Sequence, residues 1–396
     1  MSISKEIIDR IKFVINKSDE SSDVYLHEPS FVGTNAYDYI RDCLDSGWVS
    51  STGRWVSKFE NLISEFTGSK YAIAVSNGTD ALRLALHVIG VDKGNEVLIP
   101  PLSFVATANA VSHLGATPHF IDIESDSLGM CPLALEKRLD QVALIKEGEV
   151  FNKTTGNKIS AVLPVHIFGL PSKIQEIRLI CSKWRIPLIE DAAEALGSFI
   201  KTKAELIHCG CLGDIGTLSF NGNKIITTGG GGAILTNNKK IAELAKHLST
   251  TAKVNHPWNF YHDKIAWNDR LPNINAALGA SQIEHIREKL YRKRNLHKKY
   301  LDFFNDLKDV EIVKEFNQSL SNYWLVTMRL NVENPYELRE KILKDSHESK
   351  IFIRPCWNLL NELPMYSKVP SGDLKEARNQ SIRLLNLPSS PQLIDS

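Results

Sequence analysis

The sequence predicts an α/β protein with a mostly parallel central sheet in a large unit and a smaller C-terminal α/β unit. Three observations carry this. Short apolar runs alternate with helix-patterned stretches between residues 71 and 236, as strands covered on both faces by helices do. Residues suited to chemistry follow directly after those runs, namely the 76–80 turn, Phe104, Asp191 and Ser219. In such sheets ligands bind beyond the carboxyl ends of the strands. From Asp309 onward a second series of strand-like and helix-like patterns begins. At 396 residues the chain is long enough for two or more units. We expect an N-terminal helical extension over 1–27, a large domain over 28–285 and a small C-terminal domain over 286–396.

The elements follow in order. Ile7, Ile8, Ile11, Val14 and Ile15 recur at helical spacing over 4–16. This is a charged amphipathic helix, not the pattern of a signal peptide. Leu26-His27-Glu28-Pro29 breaks it. A second helix spans 35–46, closed by Gly47, and a third spans 56–66. Between them Trp48-Val49-Ser50-Ser51-Thr52-Gly53 is a polar loop, either a plain connector or a lid that touches substrate. Strands are expected at 71–75, 96–100, 117–123, 159–166, 186–189, 216–220 and 232–236. Helices are expected at 81–89, 105–114 and 237–249. The polar 144–158 stretch is a hairpin insertion. A small-residue helix starts near 274 and a charged helix runs to about 304. In the C-terminal unit, strands are expected at 311–313 and 323–330, and helices at 335–348 and 374–384.

Composition narrows the function. The net charge is +1, with both signs mixed along the chain. There is neither a polybasic face for nucleic acid nor a lipid-binding tract. No apolar run approaches the ~20 residues a membrane span needs. The six cysteines, Cys43, Cys131, Cys181, Cys209, Cys211 and Cys356, show no paired zinc spacing. They read as reduced thiols of a cytoplasmic enzyme. We expect no metal, no nucleic acid and no membrane partner.

Three features carry chemistry. The first is Lys224, pinned between two apolar strands, with Ser219 five residues before it and Gly229 to Gly232 after it. A buried ammonium is costly to desolvate. It is tolerated where a perturbed amine does chemistry, above all Schiff-base formation; the bland alternative is a surface lysine on a glycine hairpin. The second is Ser76-Asn77-Gly78-Thr79-Asp80, between a strand and a helix. Free N–H groups and the helix dipole make such a turn an anion site, with phosphate the natural guest. Simple N-capping explains the same residues. The third is Asp191, after an apolar strand and before small residues. It is a helix N-cap, a metal ligand or the partner of a buried cation. No histidine cluster supports a metal. A lysine, a carboxylate for a pyridinium nitrogen and a phosphate cradle together make the pattern of pyridoxal 5'-phosphate (PLP) enzymes.

The chain also resembles the DegT-type nucleotide-sugar aminotransferases, PLP enzymes of the aspartate-aminotransferase-like fold type I. The matching stretches are Trp48-Val49-Ser50-Ser51, Ser76-Asn77-Gly78-Thr79-Asp80-Ala81-Leu82, Glu190-Asp191-Ala192-Ala193-Glu194-Ala195-Leu196-Gly197 and Ser219-Phe220-Asn221 with Lys224 and the glycine run. Asn268-Asp269-Arg270-Leu271, Ala276-Ala277-Leu278-Gly279 and Leu385-Asn386-Leu387-Pro388-Ser389-Ser390 also match. The resemblance runs from about residue 25 to the C-terminus. Leu26-His27-Glu28-Pro29, the 144–158 insertion and Arg354-Pro355-Cys356-Trp357 resemble the branch that aminates C4 in legionaminic-acid and bacillosamine-type pathways.

The resemblance implies roles. Lys224 would carry PLP as a Schiff base and act as base and acid. Asp191 would keep the pyridine nitrogen protonated. Gly78, Thr79 and Asp80, with Ser219, would bind the phosphate. Phe104 would stack on the ring, and Glu194 would sit near its hydroxyl, where many relatives carry Gln or His. Asn268 would reach the cofactor of the other subunit, so that a homodimer shares its sites. Ser51, Arg354 and Trp357 would meet the sugar nucleotide. Glutamate would be the donor, with 2-oxoglutarate its product. A lysine at 224 argues against the dehydratases of the family, which carry histidine there. A dinucleotide-binding oxidoreductase is disfavoured because the 76–80 turn lacks GxGxxG. A non-catalytic sensor that keeps the fold and the PLP pocket stays open as the alternative.

Overall fold

The computed structural model describes residues 2–17, 19 and 21–394. At its centre lie β1 (Tyr71–Val75), β2 (Glu96–Ile99), β3 (Thr117–Phe120), β4 (Ile159–Val162), β5 (Ile189–Asp191), β6 (Ile215–Ser219) and β7 (Gly232–Thr236). The first, fifth, sixth and seventh form one four-stranded group, and the others a three-stranded group. Bridges Val162↔Leu188 and Val165↔Asp191 make the two continuous. The order is β1-β7-β6-β5-β4-β2-β3. Only β7 runs antiparallel to its neighbours. The reason is the connection before it. Residues 220–231 hold no helix, and a parallel return needs a crossover of a dozen or more residues, usually helical. The chain turns straight back, and that turn carries Lys224.

The strands lie where the apolar runs place them except β5, which overlaps the expected 186–189 run only at Ile189 and continues through Glu190 and Asp191; their residues are almost all buried. Helices Gly78–Val88, Ala106–His113, Ile174–Trp184 and Lys239–Ser249 follow in alternation. Helix Gly78–Val88 starts three residues earlier than its apolar pattern, because Asn77 caps it by accepting the Asp80 N–H at 2.8 Å. A second sheet in the C-terminal unit is antiparallel, in the order β8 (Val310–Ile312), β9 (Val326–Leu330), β11 (Leu384–Leu387), β10 (Arg354–Pro355). The expected 323–330 strand is shorter because Tyr323 takes a positive φ of 45°. The 374–384 helix gives way to β11 after Ser381. A small sheet of Phe199–Lys201, Leu206–His208 and Ser319–Leu320 was not legible in the sequence.

Two hydrophobic cores result. The first packs the helices on both faces of the seven-stranded sheet, with Phe59, Leu82, Leu98 and Phe120 fully buried. The second joins Ile7, Ile8 and Ile11 of helix Ile3–Val14 to Leu296, Tyr300 and Met328. The N-terminal helix thus packs on the C-terminal unit. Among the described residues no helix is long and apolar enough to cross a membrane. All six cysteines are free.

The 144–158 insertion is a hairpin, Ala143–Lys146 with Glu149–Asn152. One buried carboxylate fastens it to the sheet. Glu96 of β2 accepts from His119 Nδ1 at 2.8 Å, from Asn152 Nδ2 at 2.9 Å and from Thr155 Oγ1. Burial opposes ionisation of Glu96, but these donors outweigh it and hold its pKa below the usual value. Such a group adds stability above the unfolded pKa, and this is lost as pH falls through the lower folded one. Glu96→Ala leaves two buried donors, on His119 and Asn152, unpaired and should cost on the order of 3 kcal/mol in urea unfolding at pH 7. The gap to wild type should narrow below about pH 4. An unchanged midpoint at pH 7 would show that the clamp adds nothing.

Candidate active site

Residues at or just after the carboxyl ends of four strands line one cavity. Asn77 and Gly78 follow β1, Ser103 follows β2, Asp191 ends β5 and Ser219 ends β6. A cavity of about 350 Å³ is lined by these with Thr79, Phe104, Thr107, Glu194, Lys224, Trp324 and Trp357. The approach of the turn after β1 to the ends of β6 and β7 requires glycine. A Cβ on Gly78 would lie 2.8 Å from the Ser219 Cβ, and one on Gly232 would lie 2.5 Å from the Asn77 carbonyl oxygen. Without those Cβ atoms the first turn of helix Gly78–Val88 sits directly beside the Ser219 hydroxyl.

Lys224 is largely buried, with Nζ 3.6 Å from Glu194 Oε1. Nζ also lies 3.9 Å from the centroid of the Trp324 ring, a cation–π contact. Trp324 Nε1 donates to the Asn223 carbonyl at 2.6 Å, so the tryptophan is tied to the lysine's own turn. Glu194 Oε2 accepts the Phe168 N–H at 2.7 Å. Burial pushes the Glu194 carboxyl up to about 7, with Lys224 working against the rise. Asp191 accepts from Thr107 Oγ1 at 2.8 Å and from the Ala193 N–H at 3.1 Å. Ser103 Oγ is 2.7 Å from Thr107 Oγ1. Burial raises the Asp191 pKa, and Thr107 opposes this most strongly. Its hydrogen-bond partners are uncharged. Such a carboxylate is matched to a cationic N–H.

Trp357 stacks on Phe168 at 5.3 Å and approaches Phe104 at 5.9 Å. Behind this wall opens a second cavity of about 620 Å³, sharing Asn223, Trp324 and Trp357 with the first. Arg354 and His27 line it, and no Asp or Glu does among the described residues.

Lys224, Asp191, Glu194, Ser219, Gly78, Thr79, Phe104 and Trp357 thus line one cavity, and Arg354 lines the adjoining one. Three expected contacts lie elsewhere. The Asp80 carboxylate turns back on its own loop, accepting from Ser76 Oγ at 2.5 Å and Asn77 Nδ2 at 2.6 Å. Asn268 is exposed and accepts from Arg270 Nε at 2.8 Å. Ser51 sits in a loop held by Asn273, which donates its N–H to the Ser50 carbonyl at 2.7 Å. Thr107, Ser103 and Trp324 were missed. Thr107 and Ser103 look like ordinary polar residues of a small-residue stretch. Trp324 lies in an apolar run that reads as strand core.

These residues fit pyridoxal phosphate. The cradle beside Ser219 suits a phosphate, the uncompensated Asp191 suits a protonated ring nitrogen, and Lys224 is the one amine lining the cavity among the described residues. No group of His, Cys, Asp or Glu is placed to hold a metal among them.

The Glu194 carboxyl allows a test on the cofactor-free protein. Its folded pKa lies above the ordinary 4.5, so the folded state holds a proton that the unfolded chain releases. Stability therefore falls as pH rises from about 4.5 to about 7. Glu194→Gln should be stabilised relative to wild type by roughly 3 kcal/mol more at pH 8 than at pH 4. Thermal unfolding at both pH values measures it; an equal difference at both would mean that Glu194 does not titrate there.

Known proteins resemble this chain in sequence and in fold. The model of the DegT/DnrJ/EryC1/StrS aminotransferase family matches residues 32–396. The chain is 35% identical over 369 residues to the GDP-perosamine synthase of Escherichia coli O157:H7, covering 93% of each chain. Helicobacter pylori PseC, an aminotransferase involved in the biosynthesis of pseudoaminic acid, superposes with a TM-score of 0.81 at 24% identity, over 93% of this chain and 94% of that one. The PLP-form of Streptococcus pneumoniae Spr1654 superposes at 0.83 and 22% identity, over 94% and 95%. At these identities the two structures speak for the fold, which is fold type I. With the family model spanning nearly the whole chain, the protein belongs to the DegT/DnrJ/EryC1/StrS aminotransferases and is a PLP-dependent enzyme.

Proposed function

We propose that the protein transfers an amino group from glutamate to C4 of a nucleotide-linked 4-keto-6-deoxyhexose, with a 2-acetamido-2,6-dideoxy-4-keto sugar as the acceptor. The observation that carries this is the pair of joined cavities. One holds the lysine and the carboxylates. The other, larger and without acidic lining among the described residues, presents the Arg354 guanidinium and aromatic faces. Arginine pairs well with a diphosphate. A curated relative is named for a GDP-linked sugar, which supports a nucleotide-sugar acceptor.

Lys224 would hold the cofactor covalently, Asp191 its ring nitrogen, and Gly78, Thr79 and Ser219 its phosphate. When bound, PLP supplies an aldehyde that accepts amino groups and a ring that delocalises the charge left by proton loss. The chain's own groups do the rest. Thr107 and the Ala193 N–H hold the Asp191 carboxylate in one orientation. The Trp324 face places the Lys224 amine, which moves the proton as base and then acid. Glu194, 3.6 Å away, lies beside that amine and holds it by charge when ionised. Phe104 and Trp357 wall the cavity with aromatic faces.

Single-turnover chemistry tests the reading. The loaded enzyme is aminated with glutamate, the donor is removed, and UDP-, GDP- and dTDP-linked 4-keto sugars are compared with pyruvate and oxaloacetate. A nucleotide sugar should yield an amino sugar by mass. If only the keto acids react, the acceptor assignment fails. Lys224→Ala should stay folded and lose about 10³-fold or more in rate; near wild-type turnover would remove the lysine from its role.

The reading includes a homodimer with shared sites. Asn268 lies outside its own cavity, and the adjoining segment exposes Trp258 at 77%, Phe260 at 80% and Ile265 at 97%. An apolar patch of this kind is matched to a partner surface. A second copy would bury it and bring Asn268 to the other subunit's cofactor, with Ser51 reaching the sugar nucleotide from its exposed loop. Mixing inactive Lys224→Ala with impaired Asn268→Ala subunits should restore about a quarter of wild-type activity, since random pairing leaves one intact site in half the dimers. No recovery in subunits shown to exchange, or a fully active monomer in sedimentation, would rule this out.

A further inference from the structure

The wall of the second cavity carries a group that the reading above leaves unused. His27 is 9% exposed, and neither ring nitrogen has a hydrogen-bond partner among the described residues. Buried polar atoms are almost always paired. Two unpaired atoms on one ring cost free energy that a ligand in the cavity can recover. The ring lies near the Asn223 backbone carbonyl, a weak acceptor for it; that carbonyl already accepts from Trp324 Nε1 at 2.6 Å, which leaves the imidazole without a hydrogen bond of good geometry. Asn223 lines both cavities and immediately precedes Lys224. His27 therefore faces the part of a ligand nearest the reacting amine, not its far end.

The surroundings decide what His27 can bind. Burial drives its pKa well below 6.5, and the neighbouring Lys293, Lys289 and Lys224 side chains act in the same direction. Lys293 is itself buried, donating to the Trp324 and Ser389 carbonyls and to no carboxylate. An uncharged imidazole presents one N–H donor and one acceptor nitrogen. A secondary amide presents the complementary pair, whereas a phosphate offers only acceptors. For phosphate the cavity has Arg354, whose guanidinium has no partner among the described residues.

We propose that His27 is a specificity-determining residue that hydrogen-bonds the 2-acetamido group of the acceptor sugar, while Arg354 takes the diphosphate. This rests on the nucleotide-sugar reading. The test separates the two. Wild type, His27→Phe and His27→Asn are loaded with PLP, and each half-reaction is followed alone. Glutamate is the donor. The acceptors are UDP- and GDP-linked 4-keto-6-deoxyhexoses, each with a 2-acetamido and with a 2-hydroxyl group. His27→Phe should lower kcat/KM for the 2-acetamido ketone roughly 10–100-fold and shrink its preference over the 2-hydroxyl ketone. The glutamate half-reaction should not change. His27→Asn, which keeps a donor and an acceptor, should recover part of the loss. Equal losses in both half-reactions would mark a structural role and overturn the inference, as would an unchanged acceptor preference. If wild type accepts no nucleotide sugar, the nucleotide-sugar reading has failed and this inference falls with it. If wild type accepts one and the variants keep its preference, only the role of His27 has failed.

Discussion

Two consecutive carboxylates are buried at the end of the middle strand, and the site depends on how each is satisfied. Glu190 and Asp191 point to opposite faces of β5, as successive strand residues must. Burial works against ionisation of Glu190, yet His166 Nε2 and the N–H groups of Gly210, Leu212 and Gly213 all donate to it. These donors hold its pKa below the usual range. They also pin the turn leading into β6, the strand that ends at Ser219. Asp191 has only Thr107 and one N–H, and burial raises its pKa instead. Neighbours on one strand are thus pushed in opposite directions. Glu190 anchors the sheet, and Asp191 is left under-supplied on the cavity side, where a cationic ring nitrogen completes it.

The reactive turn follows from the same sheet. Because β7 returns antiparallel, its connection from β6 is a tight loop instead of a crossover helix, and Lys224 projects from that loop beside β5. The C-terminal unit then closes the space. Trp324 reaches the lysine loop from just before β9, and Trp357 arrives from just after β10 to stack on Phe168. The N-terminal segment adds His27 to the second cavity. Lys293, on helix Ile286–Phe304, ties Trp324 to Ser389 behind that wall. The site is therefore built from distant parts of the chain, but its charges all come from the large unit's strand ends and from Arg354.

Local patterning determined much of this protein without coordinates. The seven strands, the hairpin insertion, helix Pro335–Glu348 and the alignment of Ser219, Lys224, Asp191 and the 76–80 turn at strand ends were legible. Each is signalled by apolar periodicity and turn residues within about ten residues of the chain. Tertiary structure alone decided which side chains meet. It brought Thr107 to Asp191 and Trp324 to Lys224, turned the Asp80 carboxylate back onto its own loop, and left Asn268 and Ser51 outside their own cavity. It also placed His27 beside a lysine nearly two hundred residues later. Those contacts come from packing between segments distant in sequence, where side-chain direction and a few glycine-permitted close approaches matter, and no periodicity along one segment encodes them.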